Sequence, residues 1–162
     1  MAQPSVSRDI RIRRLPGDDV AAMRQLNMIF GAVFDDSATY VSNPPSDDYV
    51  VAFLSNPTNI VLVAEEAGQV VGGLVAYVLR KFEMERTEVY VYDLAVSRDY
   101  QRRGIGSSLM RYLQTVGHDI GAYVVFVQAD EGDEAVEFYE SLKPDTNNHT
   151  RNFDFSVHPK QP

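Results

Sequence analysis

The sequence contains no cysteine, and that absence removes disulfides, thiolate metal sites and a cysteine nucleophile together. An acyl-cysteine intermediate is therefore excluded. Histidine is scarce: His118, His149 and His158 are scattered, with neither ligand spacing nor a neighbouring nucleophile pattern, so they read as surface or structural residues and no metal site is expected. No segment is apolar for long enough to span a membrane, and Met1 to Arg8 lacks the apolar run of a signal sequence. The expected location is the cytoplasm. Basic residues are in deficit, with 15 Lys and Arg against 23 Asp and Glu and a net charge of −8. Nucleic acid and anionic lipid are disfavoured as partners by that balance. It suits a cationic substrate, although acidity also serves solubility alone.

What is present is enough for one domain. A chain of 162 residues can bury a full core without disulfides or a structural metal, so residues 1–162 are expected to form a single domain with flexible tails at 1–8 and 158–162. Ile10 and Ile12 alternate with arginines and give a strand, stopped by Leu15-Pro16-Gly17. Asp18 and Asp19 open a helix whose apolar face runs from Val20 to Phe34. Asp35 to Pro45 reads as a polar loop able to overhang a substrate, and Ser46 caps a second helix to about Ser55. Strands at Ile60–Ala64 and Val70–Leu79 form a hairpin, and Glu88–Ser97 is the next strand. A helix from about Gly104 to Val116 leads to the apolar strand Ala122–Ala129, read as sheet interior. Glu134–Leu142 is the last helix, stopped by Pro144, and Asn152–Val157 offers a closing strand. The order predicts a mixed α/β domain: one twisted sheet with about four helices.

The most informative stretch is Val91 to Gly106, a strand and a glycine-containing turn that opens directly into a helix. The first turn of a helix carries unpaired N–H groups and a positive dipole end, so a pyrophosphate can bind there through backbone alone. Gly104 and Gly106 allow close backbone approach, and Arg102 and Arg103 add positive charge. A dinucleotide fingerprint would want a small residue at Leu109, and a nucleoside-triphosphate loop would want Gly-Lys-Ser/Thr. Both fit poorly. An ordinary strand-to-helix turn with solvated arginines is the competing reading of the six residues alone.

Gln101-Arg102-Arg103-Gly104-Ile105-Gly106 matches the Gln/Arg-x-x-Gly-x-Gly/Ala turn with which the GNAT superfamily of N-acetyltransferases binds coenzyme A. Four further blocks, Phe34 to Tyr40, Ala76 to Glu83, Tyr90 to Ser97 and Gly121 to Asp130, together resemble the aminoglycoside 3-N-acetyltransferase branch. The likeness runs from about Ile10 to Leu142. It implies the GNAT acyl-CoA N-acyltransferase fold, in which the strand ending near Val96 and the strand beginning near Ala122 splay apart. It implies acetyl-CoA as cofactor, held by Gln101, Arg102, Arg103, Gly104, Ile105, Gly106 and Ser107, with backbone groups of Leu94, Ala95 and Val96 on the pantetheine amides. A homodimer and a cationic aminoglycoside as substrate are implied too.

Strand alternation places Val89, Val91, Asp93 and Ala95 on one face, unless a bulge intervenes, which leaves Asp93 a carboxylate among apolar neighbours. Such a group needs a partner, a task or access to water. By the resemblance, Tyr92 and Asp93 lie at the acceptor amine and Asp133 contacts the aminoglycoside. Asp130 and Glu83 are further candidate pocket acids, and Tyr40 a candidate wall. Acids at the start of the last helix are also favoured by its dipole alone. Tyr139 sits in an apolar stripe with Ala135, Phe138 and Leu142, which reads as packing; the resemblance makes it the proton donor to the leaving thiolate. The chain departs from the family pattern just beyond, with Leu142-Lys143-Pro144 where Leu-Gly is usual. Fold and coenzyme motif equally permit a polyamine, an amino terminus or a small metabolite amine as acceptor, or an acyl-CoA sensor without turnover.

Overall fold

The computed structural model describes residues 9–157. The tails expected at 1–8 and 158–162, with His158, lie outside them. The described chain falls into two compact units, one reaching Gln128 and one beginning at Ala129.

The first unit is built on a five-stranded sheet in sequential order: β1 (Ile10–Arg14), β2 (Asn59–Glu66), β3 (Gln69–Arg80), β4 (Thr87–Val96) and β5 (Ala122–Val127). β1 to β4 pair antiparallel, and β5 joins β4 in parallel. That parallel join needs a crossover, which α4 (Ile105–Asp119) supplies. α1 (Val20–Val33), α2 (Ser37–Tyr40) and α3 (Asp47–Ser55) fill the stretch between β1 and β2. The fold is a mixed α/β arrangement, one sheet with helices packed on both faces.

β2 is apolar without alternation because both of its faces are covered. Val61 and Val63 pack with Leu26 and Phe30 of α1 and Val50 and Leu54 of α3. Ile60, Leu62 and Ala64 point the other way, into a second core with Ile105, Leu109 and Leu113 of α4. Gly73 sets how closely α1 approaches the sheet: a Cβ there would lie 2.4 Å from the Leu62 carbonyl oxygen and 2.8 Å from a Leu26 methyl.

The caps follow the sequence. Asp19 accepts from the Ala22 N–H, Asp36 from Thr39 and Ser46 from Tyr49 at the starts of α1, α2 and α3. Asp19 also pairs with Arg13 at 2.8 Å, and Arg13 reaches Glu65 across the β1–β2 ladder at 2.6 Å. β1, β2 and the start of α1 are thereby tied at one corner.

Three expectations are corrected. The loop expected over Asp35–Pro45 contains α2, a single turn held by its own Asp36 cap and by Tyr40 packing on Phe30 and Phe34. Asn152–Val157 forms no strand: Phe153, Phe155 and Val157 alternate as a strand would, yet all three face solvent and no ladder pairs them. Alternation supplies a pattern, but only pairing in a ladder makes a strand, and these residues have none. β5 consequently ends the sheet order instead of lying in its interior, with Tyr123 73% exposed.

The second unit contains α5 (Glu134–Ser141), capped by the Asp133 carboxylate accepting from Ala135. Among the described residues no helix is long and apolar enough to cross a membrane, and no group of three or more His, Asp or Glu is placed to hold a metal ion.

Candidate active site

The site begins with an irregularity in β4. Val75 pairs with Asp93 and the next residue, Ala76, pairs with Val91, so Tyr92 has no partner on β3 and forms a β-bulge. The bulge puts Tyr92 and Asp93 on the same face. Val89 and Val91 point into the α4 core, as do Leu94 and Val96, whereas Ala95 belongs to the α1 core. Asp93 therefore does not share a face with Val89 and Val91, because the bulge resets the alternation that unbroken pleating would impose. It lies on the α1–α2 side of the sheet.

There its carboxylate meets Tyr40, whose phenol donates to Asp93 Oδ2 at 2.8 Å. Tyr40 packs its ring on Phe30 and Phe34, with centroids 5.6 and 5.8 Å away, so α1 fixes the ring that holds the carboxylate. Burial raises the Asp93 carboxyl above the ordinary aspartate value, and the Tyr40 hydrogen bond opposes that rise. Tyr40 itself is raised, by burial first and then by the carboxylate it serves. It thus remains a donor at neutral pH. Tyr92, 60% exposed, stands perpendicular to Tyr77 and to Tyr90.

Two residues before Asp93 the sheet opens. The β4–β5 ladder ends at Val91 opposite Val127, while β4 runs on to Val96. Residues 93–96 are paired with β3 on one side and have no β5 residue opposite on the other. The ladder stops because β5 itself ends at Val127, its last residue still paired, so that β4 alone continues. At the end of β4, Gln101 Nε2 donates to the Val96 carbonyl at 3.0 Å and ties the turn back to the strand. Arg102 and Gly104 are both left-handed, with φ of 62° and 77°. Arg103 donates to the Asp99 carbonyl and lies over the Tyr100 ring at 4.8 Å, while the Tyr100 phenol donates to Glu66 Oε2 at 2.8 Å. β2 thereby braces the turn from below.

The N-terminus of α4 differs from those of the other four α-helices. Each of those begins under an Asp or Ser side chain, whereas Gly104 supplies none and no side chain caps α4 among the described residues. Its first N–H groups, from Ile105, Gly106 and Ser107, are left to an outside acceptor. That donor set suits an anionic group such as a pyrophosphate.

Other candidates fall elsewhere. Glu83 lies in the β3–β4 turn, paired with Lys81 at 3.5 Å and Arg86 at 3.4 Å; Lys81 and Arg86 hold Glu88 as well. From Thr87 to Asp93 the strand spans roughly 20 Å, so Glu83 and Asp93 are not neighbours. Asp130, Asp133 and Tyr139 belong to the second unit, where Asp133 caps α5 and the Tyr139 ring packs beside Phe138 at 5.0 Å. Asp36 caps α2, Asp47 pairs with Arg24, and Asp35 and Asp48 face solvent. His118 and His149 are exposed, beside Asp119 and Glu131.

Sequence reasoning missed Tyr40 as the partner of Asp93, and missed Tyr100 and Glu66 as the brace of the turn. The Tyr100 position, adjacent to Gln101, carried a local signal; Tyr40 lies too far along the chain to carry one.

The comparisons agree with this geometry. Residues 27–143 match the model of the acetyltransferase (GNAT) family. An aminoglycoside acetyltransferase from an uncultured soil metagenomic sample is 41% identical, with a TM-score of 0.88 over 92% of this chain and 99% of that one. A second aminoglycoside acetyltransferase of such origin, solved in complex with sisomicin, is 32% identical, with a TM-score of 0.87 over 93% of this chain and 97% of its own. The same enzyme has been solved with trehalose. With an uncapped helix over a glycine turn, a β4 that runs on past the end of β5 and a matched span that holds both, the chain belongs to the GNAT family of acetyltransferases.

Proposed function

We propose that the protein transfers acetyl from acetyl-CoA to a primary amine of an aminoglycoside, at the 3-amino group, in a ternary complex. The observation that carries this reading is the bulge at Tyr92, which sets Tyr92 and Asp93 on one face just beyond the last β4–β5 pair. The similar enzymes support the substrate class: 41% identity to one aminoglycoside acetyltransferase, and sisomicin bound to another.

The residues fit the cofactor. The α4 N–H groups behind Gly104 would take the pyrophosphate, with Arg102 alongside, and the free edge of Leu94 to Val96 would take the pantetheine amides. When bound, acetyl-CoA supplies a thioester carbonyl open to attack. Everything else falls to the chain. The acceptor arrives as an ammonium with no lone pair, so it must lose a proton first. A carboxylate at 4 Å attracts that cation by about 1 kcal/mol in water and about 4 at an effective dielectric of 20, and so also raises the amine pKa. The elevated Asp93 carboxyl narrows the gap between acid and base from its own side. Asp93 accordingly orients the amine and accepts its proton, directly or through a water. Asp133 and Asp130 hold remote ammonium groups, and Tyr139 delivers a proton to the departing sulfur. Glu83 is the weakest of the acids proposed to bind substrate, since Lys81 and Arg86 already neutralise it.

The test is thiol release from acetyl-CoA with sisomicin or gentamicin, beside spermidine and an amino-acid amide, followed by NMR location of the acetyl group. Efficient turnover at the 3-amine is expected. Turnover confined to the other amines would keep the acetyltransferase and overturn the aminoglycoside assignment.

A further inference from the structure

A row of aromatic rings crosses the sheet beside Asp93. Phe53 of α3 meets Tyr77 of β3 edge to face at 6.2 Å, Tyr77 meets Tyr92 at 5.6 Å and Tyr92 meets Tyr90 at 6.0 Å. Tyr90 then stacks on Phe126 of β5 at 4.9 Å. All of these rings lie in the first unit. Phe53 and Tyr77 pack against the α1 core, and from there the row runs out to exposed surface. Val89 and Val91, the intervening residues of β4, are almost wholly buried on the opposite face, while Tyr92 is 60% exposed and Tyr77, Tyr90 and Phe126 are partly so. The Tyr77 and Tyr92 phenols make no hydrogen bond among the described residues, and Tyr90 is held by donating to Gln128 Oε1 at 3.1 Å.

We propose that Tyr77 and Tyr90, flanking Tyr92 and backed by Phe53 and Phe126, form a platform for the sugar rings of the acceptor and select a cyclic amino sugar over a linear polyamine. The inference rests on the aminoglycoside reading above and adds the means of recognition. Carboxylates attract any polycation without regard to its shape. An aromatic face adds what they lack, because the C–H face of a pyranose can lie against a π-system and bury apolar area there. A linear polyamine offers the charges but no flat face. Placing the row directly beside Asp93 means that a ring lying on it presents its amino substituent to the carboxylate.

The experiment is calorimetric binding of kanamycin and of spermidine to the full chain and to Tyr77→Leu, Tyr90→Leu and Tyr90→Phe variants, with circular dichroism of each. Each leucine variant is expected to bind kanamycin about fivefold to tenfold more weakly, the fold-change of one lost aromatic contact. Spermidine should change by no more than about twofold, and Tyr90→Phe should keep both affinities, because it retains the ring. Kanamycin affinity unchanged in both folded leucine variants, an equal loss for spermidine, or no kanamycin binding by the parent protein would each overturn the platform. A parent protein that binds kanamycin with this pattern yet never acetylates it would overturn the catalytic reading while the platform stands.

Discussion

The Tyr40 phenol reaches Asp93 Oδ2 at 2.8 Å across 53 residues of sequence, and it is the only hydrogen bond that Asp93's carboxylate makes among the described residues. This bond works against burial: desolvation lifts the carboxyl's pKa and the donated proton pulls it down. Tyr40→Phe removes only the downward pull. The acid limb of the kcat/KM profile should then move to higher pH, with activity lost first at acid pH and retained within a few-fold well above the limb. A pH–rate profile of the variant checks this, and an unmoved acid limb would show that Asp93 is not the titrating base.

Asp93→Asn should separate activity from stability. Loss of the proton acceptor is expected to lower kcat by about a hundredfold or more with KM for acetyl-CoA little changed. Stability should move the other way. A carboxyl raised in the fold binds its proton more tightly there than in the unfolded chain, so its contribution is present below the unfolded value and is lost as pH rises through the folded one. At neutral pH the asparagine variant is free of that penalty and should melt higher than the parent. The gap should close on acidification, as Asp93 takes up its proton. Paired thermal melts at neutral and acid pH measure it; a variant that melts lower at neutral pH would contradict the buried-charge account.

Gly104→Ala tests the turn beneath the cofactor. Its φ of 77° lies in the left-handed region, where a side chain costs roughly 1–2 kcal/mol. The variant should melt lower, and its KM for acetyl-CoA should rise severalfold with kcat toward amine little altered. Steady-state kinetics with acetyl-CoA varied, together with a melting curve, decide the point.

Much of this was legible in the sequence because it is local. The Asp19 and Ser46 caps and the Gly104 turn are each specified by residues within a few positions of one another. The bulge was foreseeable only as a possibility. Nothing within Tyr90 to Leu94 says which residue goes unpaired, since that depends on the register against Val75 and Ala76. Tyr40 escaped for a related reason: a side chain in a polar loop acquires its role from the strand it happens to face. The failure at Asn152–Val157 runs in the opposite direction, with an alternating pattern that no ladder takes up.

The bulge has a consequence for chain length. Because Asp93 and Val91 already face consecutive residues of β3, Tyr92 is one residue more than the pleat requires. Cutting it out, as opposed to substituting it, would leave every remaining pair of that ladder opposite its present partner and Asp93 on its present side. The frame of the domain is thus indifferent to this position, while the tyrosine beside the carboxylate exists only because of it. Inserting or deleting one codon here adds or removes the Tyr92 side chain while every pair of the β3–β4 ladder stays in register.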